Sequence, residues 1–339
     1  MERLNIAVLG AGTVGAAFLK LLSERQDRFA TFGADVSLTG VLVRNLDKPR
    51  PEGVPKNLLT TDPNAVLQDA DLVVELMGGL GRTLELVDYA LGEGLPVITA
   101  NKRMLAEAWE DLRPYAEDGL LYYEASVMAG TPAVELMAGS LRGNYPIEIH
   151  GVLNGTTTYI LSRMEAGKSF AEALDEAQKK GYAEEDPLFD VGGLDAAHKI
   201  TVLARLIADP DLPWEAVKAS TRGIQHLKPE TVMHAADRGQ VIRLVASLFG
   251  EAGVWKAQVR PVKLPKTHPL AVQGSQNALV FRGDAVGEVQ LKGIGAGGTA
   301  TASAVLADLF RFLEGYPGHM PLPEPVPAPA EPREIFEEV

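Results

Sequence analysis

Gly10-Ala11-Gly12-Thr13-Val14-Gly15 follows directly on the apolar run Ile6-Ala7-Val8-Leu9 and opens a segment with helical spacing of apolar residues. In a strand–turn–helix unit, the first glycine of G-x-G-x-x-G makes the tight turn. The second lets a pyrophosphate approach the backbone, and the third lets helix and strand pack closely. The helix N-terminus adds free N–H groups for the phosphates. The stretch predicts a bound dinucleotide, the alternative being a glycine turn kept for packing. The predicted cofactor residues are Gly10, Gly12, Thr13, Val14 and Gly15.

The end of the second predicted strand, Val36 to Val43, bears on which dinucleotide binds. Enzymes that use NAD usually place Asp or Glu there for the ribose hydroxyls, whereas this chain has Arg44. A guanidinium suits a 2′-phosphate. NADP(H) is therefore favoured, NAD(H) remains possible, and the alternative for Arg44 is a solvated surface charge. The spacing from Gly15 is longer than usual because residues 26–34 are expected to form an extra loop.

Strand and helix signals alternate over residues 1–130, which predicts an α/β fold with a Rossmann-type, doubly wound parallel sheet. The pattern changes at residue 131. Residues 131–292 are expected to form a second α+β domain for substrate binding and dimerisation. A C-terminal helix within 293–315 is expected to return to the first domain. Residues 316–339 form a proline-rich tail, which should be extended or disordered.

Composition excludes several classes of protein. The 339 residues carry a formal net charge of −13 and show no basic patch, so no nucleic-acid partner is expected. The absence of cysteine excludes disulfides, thiolate metal sites and cysteine nucleophiles. The N-terminus lacks the layout of a signal peptide and no apolar stretch is long enough to span a membrane, so a cytoplasmic location without a membrane partner is expected.

Two lysines stand out by their context. Asp195 and Lys199 are four residues apart on a predicted helix, after an acidic loop at 181–193. On spacing alone they make a surface ion pair. The apolar residues that follow suggest instead that Lys199 points into a cleft, where a partly desolvated amine can move a proton. Lys102 follows a parallel strand at its C-terminal end, where ligands of open α/β sheets bind. The alternative for Lys102 is a surface charge at a helix start.

Over nearly its whole length the chain resembles the homoserine dehydrogenases. The resemblance rests on motifs that occur in the family's order: Gly10 to Gly15, Thr99-Ala100-Asn101-Lys102, Glu124-Ala125-Ser126-Val127, Asn154-Gly155-Thr156-Thr157, Gly181 to Pro187, Gly193 to Lys199, and Gly295-Ala296-Gly297-Gly298 with Thr301-Ala302. It implies reversible NAD(P)-dependent hydride transfer between L-homoserine and L-aspartate 4-semialdehyde, in the biosynthesis of threonine, methionine and isoleucine.

The resemblance also implies roles for individual residues. Lys199 corresponds to the family's proton donor to the carbonyl oxygen, Asp195 orients it, and Lys102 lies near nicotinamide and substrate. Glu184 corresponds to the acid that receives the substrate amino group. Three further residues belong to the same pocket: Thr156, Tyr182 and Asp190. The cofactor set also gains Gly78 and Gly297.

The family binds a monovalent cation, Na⁺ or K⁺, through residues that correspond here to Glu124 and the carbonyls of Val127, Ala129 and Thr131. This chain has Met128-Ala129 where relatives carry glycines, and the alternative is a structural turn in which Glu124 makes an ordinary hydrogen bond. The resemblance further implies a homodimer. Many relatives carry a C-terminal ACT domain; this chain is expected to be a short form without it, and without threonine feedback through such a domain.

Two other functions remain open at this stage. One is a different amino-acid-linked Rossmann dehydrogenase, such as an aspartate dehydrogenase, which would not need the run from Glu184 to Lys199. The other is a non-catalytic NAD(P)-sensing protein. Such a regulator would usually need a DNA-binding element with a basic face, and the sequence offers none.

Overall fold

The computed structural model describes residues 2–51, 53–183, 186–330, 334 and 336–339. The chain divides into two compact units. The first comprises Met1–Glu135 and Ala296–Pro321, and the second comprises Leu136–Gly295 and Leu322–Val339.

The first unit is built on a parallel sheet of six strands in the order β3-β2-β1-β4-β5-β6. Its central strand is fully buried from Ile6 to Leu9, as expected for a strand covered on both faces. The predicted Rossmann-type sheet is thus confirmed. The strands are β1 (Glu2–Leu9), β2 (Ala34–Leu42), β3 (Leu59–Thr60), β4 (Leu72–Glu75), β5 (Val97–Thr99) and β6 (Leu121–Tyr122). The helices that connect them are α1 (Thr13–Glu24), α2 (Gln26–Thr31), α3 (Pro63–Leu67), α4 (Arg82–Gly92), α5 (Lys102–Glu107) and α6 (Trp109–Glu117).

The prediction of an extra loop at residues 26–34 is wrong. Most of it is α2, a helix of six residues. Phe29 is fully buried and stacks on Phe310, with 5.1 Å between the ring centroids. Packing of Phe29 against Phe310 stabilises this helix. One buried residue in six gives no helical spacing of apolar residues that the sequence could show.

The second unit is built on an antiparallel sheet in the order β11-β10-β7-β8-β9-β12. Helices α8, α11 and α13 pack against β8. The chain enters through α7 (Ala133–Ala138), which starts in the first unit. The strands are β7 (Pro146–Val152), β8 (Gln240–Glu251), β9 (Val254–Pro265), β10 (Gln276–Gly283), β11 (Gly287–Ile294) and β12 (Glu337–Glu338). The helices are α8 (Gly155–Glu165), α9 (Phe170–Lys179), α10 (Leu188–Val191), α11 (Leu194–Ile207), α12 (Trp214–Ala219) and α13 (Pro229–Asp237).

From Leu322 onwards, the described part of the proline-rich tail lies along the second unit, whereas residues 316–321 belong to the first. The backbone N–H of Val326 donates to Ala208 O at 2.9 Å, and the Trp255 indole donates to Val326 O at 2.8 Å. Phe336 packs against an apolar cluster of the second sheet, and β12 pairs with β9. The tail therefore adds a strand to the sheet edge.

The last helix, α14 (Gly298–Leu313), belongs to the first unit and packs against α1. A Cβ on Gly298 would come within 2.9 Å of the Thr13 side chain, so the two helix starts are in close contact. No helix among the described residues is long and apolar enough to cross a membrane.

Candidate active site

The glycine fingerprint adopts the geometry that its spacing predicts. Gly10 has φ +106°, and a Cβ there would lie 2.7 Å from the carbonyl of Leu76. A Cβ on Gly15 would overlap the carbonyl oxygen of Gly10. Gly12, by contrast, faces open space and precedes α1 without a side-chain cap. Its side of the turn thus leaves room for a phosphate at the N–H groups of Thr13 and Val14.

A cleft beside the fingerprint carries three cationic side chains. It is lined by Gly10 to Gly12, the end of β2 with the loop after it, and Leu76-Met77. Arg44, Lys48 and Arg50 all lie in that loop. Arg50 donates to Ala11 O at 3.0 Å and to Asn45 O at 2.9 Å, which ties the loop to the fingerprint. Sequence reasoning identified Arg44 and missed the other two, although both follow it within six positions.

The carboxyl ends of β4 and β5 are organised by Glu75, which sequence reasoning missed. This fully buried carboxylate accepts hydrogen bonds from Met77 N at 2.7 Å, Gly78 N at 2.9 Å and the Thr99 hydroxyl at 2.6 Å. Burial raises its pKa and these hydrogen bonds lower it, with a net rise. Glu75 thereby fixes the turn that carries Gly78, whose φ is +68°.

Lys102 starts α5 at the same end of the sheet. Asn101 caps the helix, since its side-chain oxygen accepts from Met104 N, and its amide donates to Gly79 O at 2.7 Å. Lys102 is half-buried. Gly297, with φ +134°, precedes α14 and so lies beside the start of α1. The first unit therefore places Gly10 to Gly15, Arg44 and Gly297 around the fingerprint turn, and it places Gly78 and Lys102 after the neighbouring strands β4 and β5.

In the second unit, Lys199 and Asp195 form a buried ion pair. Lys199 Nζ lies 2.8 Å from Asp195 Oδ2 and donates to Leu153 O at 2.6 Å. The side chains are 9% and 7% exposed, so the alternative of a surface pair is wrong. Such a pair is costly to desolvate unless further hydrogen bonds satisfy its members.

Asn154 supplies those hydrogen bonds and was missed as a site residue. Its amide nitrogen donates to Asp195 Oδ2 at 2.8 Å and to Asp190 Oδ1 at 2.7 Å, while its oxygen caps α8 by accepting from Thr157 N at 2.8 Å. Asn277 donates to the same Leu153 carbonyl as Lys199, at 2.9 Å. The signal for Asn154 was its place before a predicted helix, in a motif already noted for the family.

Two further predicted substrate residues lie next to this network. The Thr156 hydroxyl donates to Tyr182 O at 2.6 Å. The Tyr182 ring is 44% exposed and lies against Tyr159, with 5.0 Å between the centroids. The second unit thus brings together Thr156, Tyr182, Asp190, Asp195 and Lys199. Glu184 lies outside the described residues.

The predicted cation turn is a buried backbone loop. Met128 and Ala129 have φ of +59° and +52°, the left-handed region that favours glycine. The Glu124 carboxylate accepts from the backbone N–H groups of Val134 and Glu135 at the start of α7. Burial raises the pKa of Glu124 to about 7. A buried carboxylate suits a hard monovalent ion, so Glu124 fits the ion that the family implies.

Comparison with known proteins identifies the family. A family model described as homoserine dehydrogenase matches residues 132–310, and a model described as its NAD-binding domain matches residues 10–123. A homoserine dehydrogenase of Synechocystis is 40% identical over 91% of this chain and 73% of the relative. That of Bacillus subtilis is 37% identical over 93% and 74%.

Solved structures of homoserine dehydrogenases have a similar fold. A homoserine dehydrogenase from Thiobacillus denitrificans superposes with a TM-score of 0.84 at 36% identity, covering 92% of this chain and 73% of the other. A hyperthermophilic archaeal homoserine dehydrogenase mutant, solved with NADPH, gives 0.77 at 28% identity over 94% and 99%. Given these matches, together with the dinucleotide fold of the first unit and the buried lysine–aspartate pair of the second, the chain belongs to the homoserine dehydrogenase family and is an NAD(P)-dependent oxidoreductase.

Proposed function

We propose that Lys199 moves the proton at the hydroxyl oxygen of homoserine during its reversible conversion to aspartate 4-semialdehyde. A nicotinamide cofactor held by the first unit would supply or take up the hydride at the carbon that bears this hydroxyl. The single observation that supports the role of Lys199 is its burial against Asp195 and Leu153 O. Removal from water makes the pKa of an amine tunable, and an ordered amine can act as general acid or base.

Asp195 and Asn154 are positioning residues in this proposal. Asp195 holds the ammonium of Lys199, and the Asn154 amide holds Asp195. A side chain whose rotamer is fixed on two sides presents its proton in one direction, which lowers the entropic cost of reaching the transition state.

Homoserine carries a cation, an anion and a hydroxyl, and we assign a contact to each. Carboxylates suit the amino group, and the family resemblance assigns this role to Glu184. Asp190, the Thr156 backbone and Tyr182 complete the pocket. Lys102, after β5, is the second catalytic lysine and suits the substrate carboxylate or the nicotinamide edge.

NADP(H) is the preferred cofactor in this proposal. The exposed guanidinium of Arg44 and ammonium of Lys48 line the cleft beside the fingerprint, and Arg50 anchors their loop. A 2′-phosphate there gains charge-assisted hydrogen bonds that the hydroxyl of NAD does not make. The acid that usually binds the ribose hydroxyls is replaced by Arg44.

A monovalent cation, Na⁺ or K⁺, is proposed at the turn made by Glu124 and the carbonyls of Val127, Ala129 and Thr131. The positive charge compensates the buried carboxylate, whose two oxygens are already oriented by N–H groups. This ion holds the turn rather than reacting.

The assembly is proposed to be a homodimer that forms through the second sheet. β11 ends that sheet and alternates exposed with half-buried residues from Glu288 to Ile294. An open strand edge is a surface on which a second chain can pair. Light scattering after gel filtration measures the mass, and a monomer at micromolar concentration would refute this part.

The reaction is tested by absorbance at 340 nm with L-homoserine, run separately with NAD and NADP in Na⁺ or K⁺ buffer. We expect homoserine-dependent reduction of both, faster with NADP. Lys199→Ala should lower kcat by about 10²- to 10⁴-fold, the usual contribution of general acid–base catalysis. Lys168→Ala, which removes a half-exposed lysine of the same unit, is the control. If folded Lys199→Ala keeps near-normal turnover, the assignment of Lys199 is wrong.

A further inference from the structure

The second unit carries a cluster of ligand atoms that the dehydrogenase reaction does not use. Glu148 and His150 are two apart on β7, so they lie on one face of the sheet. Glu334 reaches them from the tail, because its backbone N–H donates to Glu148 Oε2 at 2.8 Å. One ligand atom from each of the three side chains lies within 4.8 Å of the others.

The imidazole of His150 is oriented as a metal ligand would be. Its Nδ1 lies 2.9 Å from the Ser247 hydroxyl, across the strand pair, which leaves Nε2 facing the carboxylates. A ligating histidine almost always uses its second ring nitrogen in this way. His150 is 2% exposed, and its Nε2 has no hydrogen-bond partner. Leaving a buried polar nitrogen unsatisfied costs about 1–3 kcal/mol. An ion bound at His150 Nε2 would remove this cost.

The distances fit a metal ion better than a hydrogen bond. Glu148 Oε2 lies 3.2 Å from His150 Nε2, a nitrogen for which the structure gives no hydrogen-bond partner. Two ligands of one tetrahedral ion at about 2.0–2.1 Å lie roughly 3.3 Å apart and off each other's axis. The contact between Glu148 and His150 has this form.

The surroundings support an anionic ligand set with space beside it. Arg282 lies 2.6 Å from Glu148 Oε1 and orients it, and His268 Nε2 lies 3.2 Å from Glu334 Oε1. A cavity lined by His150, Ser247 and Glu334 adjoins the cluster, which leaves room for water as a further ligand.

We propose that Glu148, His150 and Glu334 bind a divalent transition-metal ion, of which Zn²⁺ is the test case, and that this ion fastens the C-terminal tail to the second sheet. One imidazole and two carboxylates with water match the ligand preferences of Zn²⁺. Since Glu334 is the ligand from the tail, metal binding and tail docking are linked.

The test uses the full chain, stripped with a chelator and then titrated with ZnCl₂ against a chromogenic competitor. We expect one Zn²⁺ per chain, bound at least tenfold more weakly by Glu334→Gln and lost in His150→Gln. Ser247→Ala, which removes the orienting hydroxyl, should weaken binding by about 10- to 100-fold. Glu324→Gln, another carboxylate of the tail, is the matched control and should bind as the parent does.

A second measurement follows the tail itself. Zn²⁺ should slow hydrogen exchange of the amides at residues 334–339 in the parent and in Glu324→Gln, but not in Glu334→Gln. Because Glu334 lies in the tail, this variant keeps the test valid even if His150→Gln misfolds. Equal Zn²⁺ affinity in the parent and Glu334→Gln overturns the proposal, as does the absence of Zn²⁺ binding by folded parent. Loss of the ion in Glu135→Gln, which disrupts the group Glu124–Glu135–His319 of the first unit, with retention in Glu334→Gln also overturns it.

Discussion

Asn154 connects stability and catalysis in the second unit, and removing its side chain should damage both. The residue is 4% exposed. Asn154→Ala deletes the cap of α8, which is worth about 1 kcal/mol. It also deletes two hydrogen bonds to carboxylates, of about 1.5–3 kcal/mol each. We therefore expect a loss of about 4 kcal/mol or more in the free energy of unfolding of this unit.

Asn154→Ser is the matched variant, because serine keeps a side-chain oxygen for the cap and loses both amide donors. It should recover about 1 kcal/mol relative to alanine. Urea unfolding in a Trp109→Phe background, followed by the fluorescence of Trp214 and Trp255, measures the difference. Both tryptophans belong to the second unit.

The catalytic consequence is separable from stability. Without the Asn154 amide, the carboxylate of Asp195 attracts the ammonium of Lys199 more strongly and holds its proton more tightly. The pH profile of kcat should then shift to higher pH in both variants, with kcat lowered at least tenfold at neutral pH. A purely structural role would reduce the active fraction and leave the profile in place. If Asn154→Ala loses less than about 1 kcal/mol and keeps the parental pH profile, the network does not position Lys199.

Three other perturbations follow from the structure. Arg44→Ala should weaken NADP binding by about tenfold or more with little change for NAD, since a charge-assisted hydrogen bond is lost; equal losses for both cofactors would remove Arg44 from the 2′-phosphate site. Glu124 has a folded pKa of about 7 against 4.5 for the free group, so between these pH values the folded state binds a proton that the unfolded state has lost. The contribution of Glu124 to the free energy of unfolding should therefore fall by about 3 kcal/mol as the pH rises from 4.5 to 7, and it should stay constant above pH 7. Unfolding measured in choline buffer should show this fall in the parent but not in Glu124→Gln, and added Na⁺ or K⁺ should reduce it; matching profiles would exclude the titration. Glu165→Ala should cost about 3–5 kcal/mol, because the fully buried guanidinium of Arg243 loses its counter-ion; a change below 1 kcal/mol in urea unfolding would show that water replaces the carboxylate.

Local chemistry made the first unit predictable. The turn at Gly10 to Gly15 needs glycine at two positions for steric reasons that act within a few residues, so its sequence signature is strong. By contrast, α2 is stabilised by Phe29 stacking on Phe310, which is distant in sequence. The prediction failed there because the contact that stabilises the helix is tertiary.

The sequence by itself determined the parallel sheet, the dinucleotide turn and the family, since each is encoded in short-range patterns of glycine, apolar residues and motif order. Only the tertiary structure decided which charges are buried. Spacing alone makes Asp195 and Lys199 a surface pair, whereas the structure buries them and binds them through Asn154 and Leu153 O. The same holds for three other sets of contacts, each of which joins segments that are distant in sequence: those of Glu75, those of Arg50, and the cluster of Glu148, His150 and Glu334. Burial and partner geometry set the energy of a charge, and neither is a property of the residue alone.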